Sequence, residues 1–280
     1  MRFVLAPQAE ASGYRLQAHE VVEGSTNTIA MEHARAGGAG GLWVVTTLQR
    51  GGRGRRGRVW ETPPGNLAAS LLVEAACEPA LAASIGFVAG LALHEAAARC
   101  APGARAALRL KWPNDLLLDG AKLSGMLLES EIMPGGRRFV VVGVGVNVAA
   151  APAGLPYAAA ALRAVAPGVT AQSLFEVMSA TWIEYFSIWD NGRGMDRIRR
   201  LWLERAHGVG GAVAIQYGPE VIRGVFETID AVGQLVVRTP AGDARTITAG
   251  DVHFGDVGSF RGEAAVSRPQ EALRNAARNG

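Results

Sequence analysis

The stretch KLSGMLLESEIMPGGRRFVVVGVGVNV, residues 122–148, decides the fold. Residues 139–148 are a continuous apolar run with glycines at 143 and 145, and residues 123–131 are strand-like but interrupted by Gly125. Between them, Met133-Pro134-Gly135-Gly136 supplies the chemistry of a turn. The pattern predicts a hairpin of two long strands. Such a pair fits an antiparallel or mixed sheet covered by helices, which is α+β architecture.

Working outward, residues 25–35 read as a helix that Ser25 or Thr26 can cap and that Gly37-Gly38 ends. Strands are expected at 42–48, 67–74 and 107–111, the last stopped by Trp112-Pro113, and a long helix at 80–99. Residues 51–58 have no apolar periodicity and must be a loop. Downstream, 172–189 shows an apolar helical face in Leu174, Phe175, Met178, Trp182, Phe186 and Trp189, and a second helix covers 195–205. From Gly208 the texture changes to short segments at 212–217, 221–229, 235–239 and 244–248, separated by glycines, which predicts a small barrel. Beyond Gly258 the residues are polar and alanine-rich, and a frayed or disordered tail is expected.

With 280 residues and 49% hydrophobic content, the chain can bury a large core, which excludes disorder of the whole. A net charge of +3 is modest and the arginines are clustered, so a local anion site is favoured over a general nucleic-acid surface. Cys77 and Cys100 form no CxxC pair and have no histidine at ligand spacing, which argues against a disulfide scaffold or structural zinc and fits a reduced cytoplasm. The first residues lack the apolar core of a signal peptide. Residues 84–98, the most apolar stretch, carry His94 and Glu95 and fall short of a membrane span.

Three segments carry chemistry. In Gln49-Arg50-Gly51-Gly52-Arg53-Gly54-Arg55-Arg56-Gly57-Arg58, followed by Trp60, glycines bring the backbone close to a ligand while arginines offer forked donors to carboxylate or phosphate. The residues by themselves also fit a nucleic-acid-binding arm, but a single short loop between two core strands is where mobile covers fold over ligands. In Lys111-Trp112-Pro113-Asn114-Asp115 a stiff turn presents an amide and a carboxylate that can meet magnesium or ribose, or simply make a turn; Lys122 follows at the mouth of the next strand. Gly143-Val144-Gly145-Val146-Asn147 lacks the third glycine and the helix of a dinucleotide fingerprint, so its glycines let a ligand or backbone lie against the strand.

Taken in order, Gly24-Ser25-Thr26-Asn27, GRGRRGR, KWPNDLLL, KLSGMLLE and GVGVNV closely resemble the bacterial biotin–protein ligase family, continuously over about residues 20–150. The resemblance implies a mixed central sheet with flanking helices over residues 15–207, akin to class II aminoacyl-tRNA synthetases and lipoate ligases, and an SH3-like barrel over 208–258, with the tail at 259–280. It implies ATP-dependent formation of biotinyl-5'-AMP and transfer of biotin to a lysine of a carboxylase's biotin carboxyl carrier domain. ATP and biotin would be substrates, with Mg2+.

By the same resemblance, Ser25, Thr26, Asn27 and Gln49 line the biotin site, together with Arg53, Gly54, Arg55 and Lys122. Lys122, Arg55 and Arg53 would be the catalytic cations. Arg55, Arg58, Trp60, Lys111, Asn114, Asp115 and Asn147 would meet the nucleotide, with Asp115 also a metal ligand. The residues leading into the loop vary from the family's usual ones, and about twenty residues before the first motif are too few for a helix-turn-helix, so a short form without DNA binding is expected. A cytoplasmic monomer or homodimer away from membranes completes the expectation. A lipoate or octanoyl ligase could use the same sheet.

Overall fold

The structure, a computed structural model, describes residues 2–217, 220–248 and 250–254. The chain divides into two compact units. The first runs to His207 and includes Ile229–Gln234; the second holds Gly208–Thr228 and residues from Leu235 onward.

The first unit runs α1 (Pro7–Ala11), β1 (Arg15–His19), α2 (Thr26–Arg35), β2 (Leu42–Thr46), β3 (Leu67–Glu74), α3 (Pro79–Ala83), α4 (Ile85–Cys100), β4 (Leu108–Lys111), β5 (Asp115–Leu118), β6 (Ala121–Ile132), β7 (Arg138–Val146), α5 (Ala171–Trp189) and α6 (Met195–Leu203). Its seven-stranded sheet has the order β1-β2-β3-β7-β6-β5-β4, with β1 parallel to β2 and the remaining neighbours antiparallel. The predicted hairpin is β6–β7, in register from Ser124 opposite Val146 to Ile132 opposite Arg138.

Helices flank the sheet. The apolar side of α2 (Ala30, Met31, Ala34) packs with Leu42, Val44, Leu72, Phe139 and Val141. Both α4 and α5 also contact the sheet and pack on each other, where Thr181 Oγ1 donates to Ala92 O at 2.8 Å and Trp189 Nε1 donates to Ser84 Oγ at 2.7 Å. Thr170 and Ser173 form a capping box that starts α5. Trp43 of β2 meets Phe175 and Trp182 of α5 edge-on, an arrangement that adds aromatic attraction to burial.

The long helix expected at 80–99 is bent into α3 and α4 at Ser84, whose hydroxyl donates back to Leu81 O. Taken together, Leu81–Cys100 is long and apolar enough to cross a membrane, which corrects the shorter 84–98 stretch; most of it is buried inside the fold. Its residues pack against α5 and the sheet, which accounts for a helix apolar on every side.

The second unit contains β8 (Ala212–Tyr217), β9 (Glu220–Ile229), β10 (Leu235–Arg238), β11 (Ala244–Ile247) and β12 (Asp251–Phe254), in the order β11-β10-β9-β8-β12. It is a small antiparallel, SH3-like sheet whose alternate residues Val213, Ile215, Leu235, Val237 and Ile247 are buried. The tail expected at 259–280 lies outside the described residues.

Candidate active site

The central strands of the first unit change character along one face. Direct partners across an antiparallel ladder share a face, so Leu72, Val141 and Glu129 form one row, Ser70, Gly143 and Leu127 the next, and Ala68, Gly145 and Gly125 the third. The α2 helix covers the bulky end of this face. Beyond its N-terminus the strands offer glycine and alanine, and the loop between β2 and β3 lies there instead. Gly143 is needed because a Cβ would fall 2.2 Å from Asn27 Oδ1; at Gly145 it would fall 2.3 Å from Trp60 Nε1.

The α2 N-terminus is held by a buried polar network. Ser25 Oγ accepts from the Asn27 N–H at 3.3 Å, the N-cap bond expected of this serine. Gln49 Oε1 accepts from the Thr26 N–H at 2.7 Å and lies 3.1 Å from Thr26 Oγ1. Ser70 Oγ, fully buried on β3, lies 2.7 Å from Thr26 Oγ1 and 2.6 Å from Asn27 Oδ1. Because Oδ1 only accepts, Ser70 gives its proton there, and Thr26 can donate to Ser70 or Gln49. Asn27 Nδ2 donates to Glu129 Oε2 at 2.7 Å.

The arginine loop is a small ribbon. Arg53 and Val59 form an antiparallel bridge, Trp60 N–H donates to Gly52 O at 3.0 Å and Gly54 N–H donates to Arg58 O at 2.7 Å. A 3₁₀ turn, Arg55–Gly57, closes the ribbon with Arg56 and Gly57 at positive φ. Gly52 has no room for a Cβ, which would meet Trp60 O at 2.1 Å; Gly54 has ordinary room. The two inner arginines diverge: Arg53 Nη1 donates to Thr28 Oγ1 and its Nη2 to Glu129, while Arg55 Nη1 donates to Asn114 Oδ1 at 3.2 Å.

At the other end of the glycine floor, Lys122 Nζ lies 2.8 Å from Asp115 Oδ1, with both side chains about four-fifths buried (22% and 18% exposed). The ammonium also sits 5.7 Å from the Trp60 ring and 5.5 Å from the Tyr157 ring, within reach of their negative faces. Backbone bonds fix its strand: Lys122 N–H donates to Ala158 O and Ala160 N–H to Lys122 O. A cleft is lined here by Trp60, Glu61, Lys122, Asn147, Leu155 and Tyr157.

Asn114 anchors the β4–β5 turn, its Nδ2 donating to Met126 O at 2.5 Å. Lys111 is opposite Asp115 in the ladder. Asn147 is buried, with Nδ2 3.4 Å from Lys122 O and Oδ1 3.5 Å from Asn66 Nδ2.

The structure therefore groups Ser25, Thr26, Asn27 and Gln49 at one end, and Trp60, Lys122, Asp115 and Asn147 at the other. Arg58 also lies in the loop. Ser70, Asn66, Tyr157 and Glu129 take part but were not singled out from the sequence. Ser70 and Asn66 read as ordinary strand and loop polar residues, although a serine inside an apolar strand was a usable signal. Asn66 Oδ1 accepts from Ala149 and Ala150 N–H and so shapes the turn after β7. Tyr157 lies in an Ala/Pro-rich connection with no periodicity.

For metal binding, no group of three His, Cys, Asp or Glu side chains occurs among the described residues. Asp115 is engaged by Lys122, so a magnesium ion fits as a companion of substrate phosphates, which can fill most of its coordination shell with water.

Comparison with known proteins agrees with this construction. Residues 20–147 match the biotin/lipoate A/B protein ligase family and residues 209–255 the biotin protein ligase C-terminal domain. The chain is 39% identical over 238 residues to a biotin–[acetyl-CoA-carboxylase] ligase of Paracoccus denitrificans, covering 82% of this chain and 97% of that one. It is 28% identical over 262 residues to the bifunctional ligase/repressor BirA of Bacillus subtilis (strain 168), covering 89% of this chain and 76% of that protein. Its fold is similar to that of the biotin protein ligase from Aquifex aeolicus solved in complex with biotin and ATP, with a TM-score of 0.71 at 20% identity, covering 86% and 99% of the two chains. The chain belongs to the biotin protein ligase family, and it is a ligase enzyme.

Proposed function

We propose that this protein activates biotin with MgATP to biotinyl-5'-AMP and transfers the biotinyl group to a lysine of the biotin carboxyl carrier domain of acetyl-CoA carboxylase or a related carboxylase. The observation that carries this reading is the glycine floor of Gly125, Gly143 and Gly145, with buried amides and hydroxyls at one end and the Lys122 ammonium at the other. Biotin has matching chemistry: a ureido ring that donates and accepts, an apolar ring and chain, and a terminal carboxylate.

Ser25, Thr26, Asn27 and Gln49 would take the ureido end. The carboxylate, directed at Lys122, attacks the α-phosphorus of ATP as pyrophosphate leaves. No strong base is required, because a carboxylate is already ionised. Catalysis is positioning plus stabilisation of phosphoryl charge by Lys122 and Arg55, while Arg53, paired with Glu129 beside α2, holds the loop in place. Arg58, Trp60, Lys111, Asn114, Asp115 and Asn147 would hold the nucleotide, and Gly54 would meet biotin and its adenylate. The loop excludes water that would hydrolyse the mixed anhydride. In the second step the neutral amine of the carrier lysine attacks the activated carbonyl carbon and AMP departs.

We assign the catalytic domain to residues 15–207 and the barrel to 208–258. We take the cytoplasm as its compartment, in keeping with the free thiols of Cys77 and Cys100.

The test is pyrophosphate exchange into ATP with magnesium, offering biotin, lipoate and octanoate separately. Exchange that depends on biotin is expected. Exchange with lipoate alone would move the chain to the other branch of its family, and exchange with none would remove the adenylation reading.

A further inference from the structure

The arginine loop is tethered to the sheet by a carboxylate that none of the substrate roles above uses. Glu129 of β6 receives Nη2 of Arg53 on both oxygens, at 3.1 and 3.0 Å, and the amide of Asn27 on Oε2 at 2.7 Å. Arg53 Nη1 also donates to Thr28 Oγ1 at 3.0 Å, so the guanidinium spans β6 and the first turn of α2. Its bridge to Val59 carries that anchorage into the opposite arm of the loop and so to Trp60 over the glycine floor. Arg55, two residues on, faces Asn114 instead.

We propose that Glu129 is a positioning residue, the latch that holds the arginine loop closed through Arg53 and ties closure to the placement of Asn27. As a plain surface ion pair the contact would contribute little: the side chains are 46% and 37% exposed, and pairs of that kind add little to global stability. Its location gives it a different effect. It fastens one arm of a largely exposed loop, so its loss is read as local opening rather than as unfolding. A ligand against Asn27 meets the same carboxylate that holds Arg53. Filling that end and closing the loop are thereby one event.

The latch can be tested without any ligand. Full-length protein and its E129Q, R53M and E129Q/R53M variants are digested with dilute trypsin, and cleavage after Arg55, Arg56 and Arg58 is followed by mass spectrometry. Glutamine still accepts from Asn27 but has no charge for Arg53. Each single variant is expected to be cut there about five-fold faster, the double variant no faster than the singles, at an unchanged thermal midpoint. Wild-type cleavage rates in E129Q would overturn the latch, as would additive effects in the double variant.

A second readout, faster escape of biotinyl-AMP from E129Q, rests on the function proposed above. If the wild type shows no biotin-dependent exchange, that function fails while the trypsin comparison still decides the latch.

Discussion

The indole of Trp60 lies on Gly145, so close that a Cβ on the glycine would fall 2.3 Å from Nε1. The glycine is what lets a loop residue reach the sheet. Gly145→Ala is therefore expected to displace Trp60 and lower kcat/KM for biotin-dependent exchange at least about ten-fold. Overpacking of this kind costs about 1–3 kcal/mol when the neighbour cannot move; a loop residue can, so the thermal midpoint should fall little. Wild-type kinetics in this variant would show that the loop does not need this contact.

Ser70→Ala tests the hub between Thr26 and Asn27. The hydroxyl is fully buried, and its removal leaves a buried acceptor on Asn27 unpaired, at a cost of about 1–3 kcal/mol. The expected result is a lower unfolding midpoint with a raised KM for biotin and an unchanged KM for ATP. Parallel loss of both KM values would speak for general damage instead.

Lys122→Ala should slow adenylate formation by about 10²-fold, the usual consequence of losing one well-placed charge at a reacting phosphoryl group. The ion pair with Asp115 suggests the control: Asp115→Asn keeps the ammonium and releases its partner. Single-turnover formation of biotinyl-AMP in the two variants separates the loss of charge from the loss of the pair. An undiminished rate in Lys122→Ala would remove this lysine from the chemistry.

His94, buried in α4 with its Nε2 3.3 Å from Leu108 O, has its pKa pulled down to about 4 by burial and by Arg205. Unfolded, it titrates near 6.5, so as pH falls from there to 4 the unfolded chain binds the proton first. The stabilisation is complete above pH 6.5 and is lost towards pH 4, by up to about 3 kcal/mol. His207, lowered by burial and by Lys111, shifts the same way. Urea midpoints at pH 7.5 and 5 should diverge more in wild type than in His94→Gln. Identical pH dependence in the two would exclude His94 as a source.

Much of the fold was legible because its signals are local. The β6–β7 hairpin, the bounds of β3 and β8 and the apolar face of α5 follow from periodicity and turn residues. The misses have physical causes. Strand β1, Arg15–His19, carries polar residues because it lies at the sheet edge, and β5 is only four residues long, below what alternation can reveal. Strand β12 follows β11 too closely for a composition change to mark it.

At the site, the motif residues were readable one by one, but their grouping depends on register. That Ser70 faces Gly143, and that Glu129 shares a face with Val141 and Leu72, appears only once the strands are aligned. The opposite directions taken by Arg53 and Arg55 belong to the turn at Arg55–Gly57 and have no counterpart in the motif's spelling.

The three glycines beneath Asn27 and Trp60 have a consequence for how the enzyme can be altered. A floor made of bare backbone has nothing left to trim, so every substitution at Gly125, Gly143 or Gly145 adds atoms against Asn27, Trp60 or Lys122. Enlarging the site for a bulkier acid must come from its roof. Trp60 and Tyr157, which border the cleft from above and beside Lys122, are the positions where truncation opens room while leaving the sheet untouched.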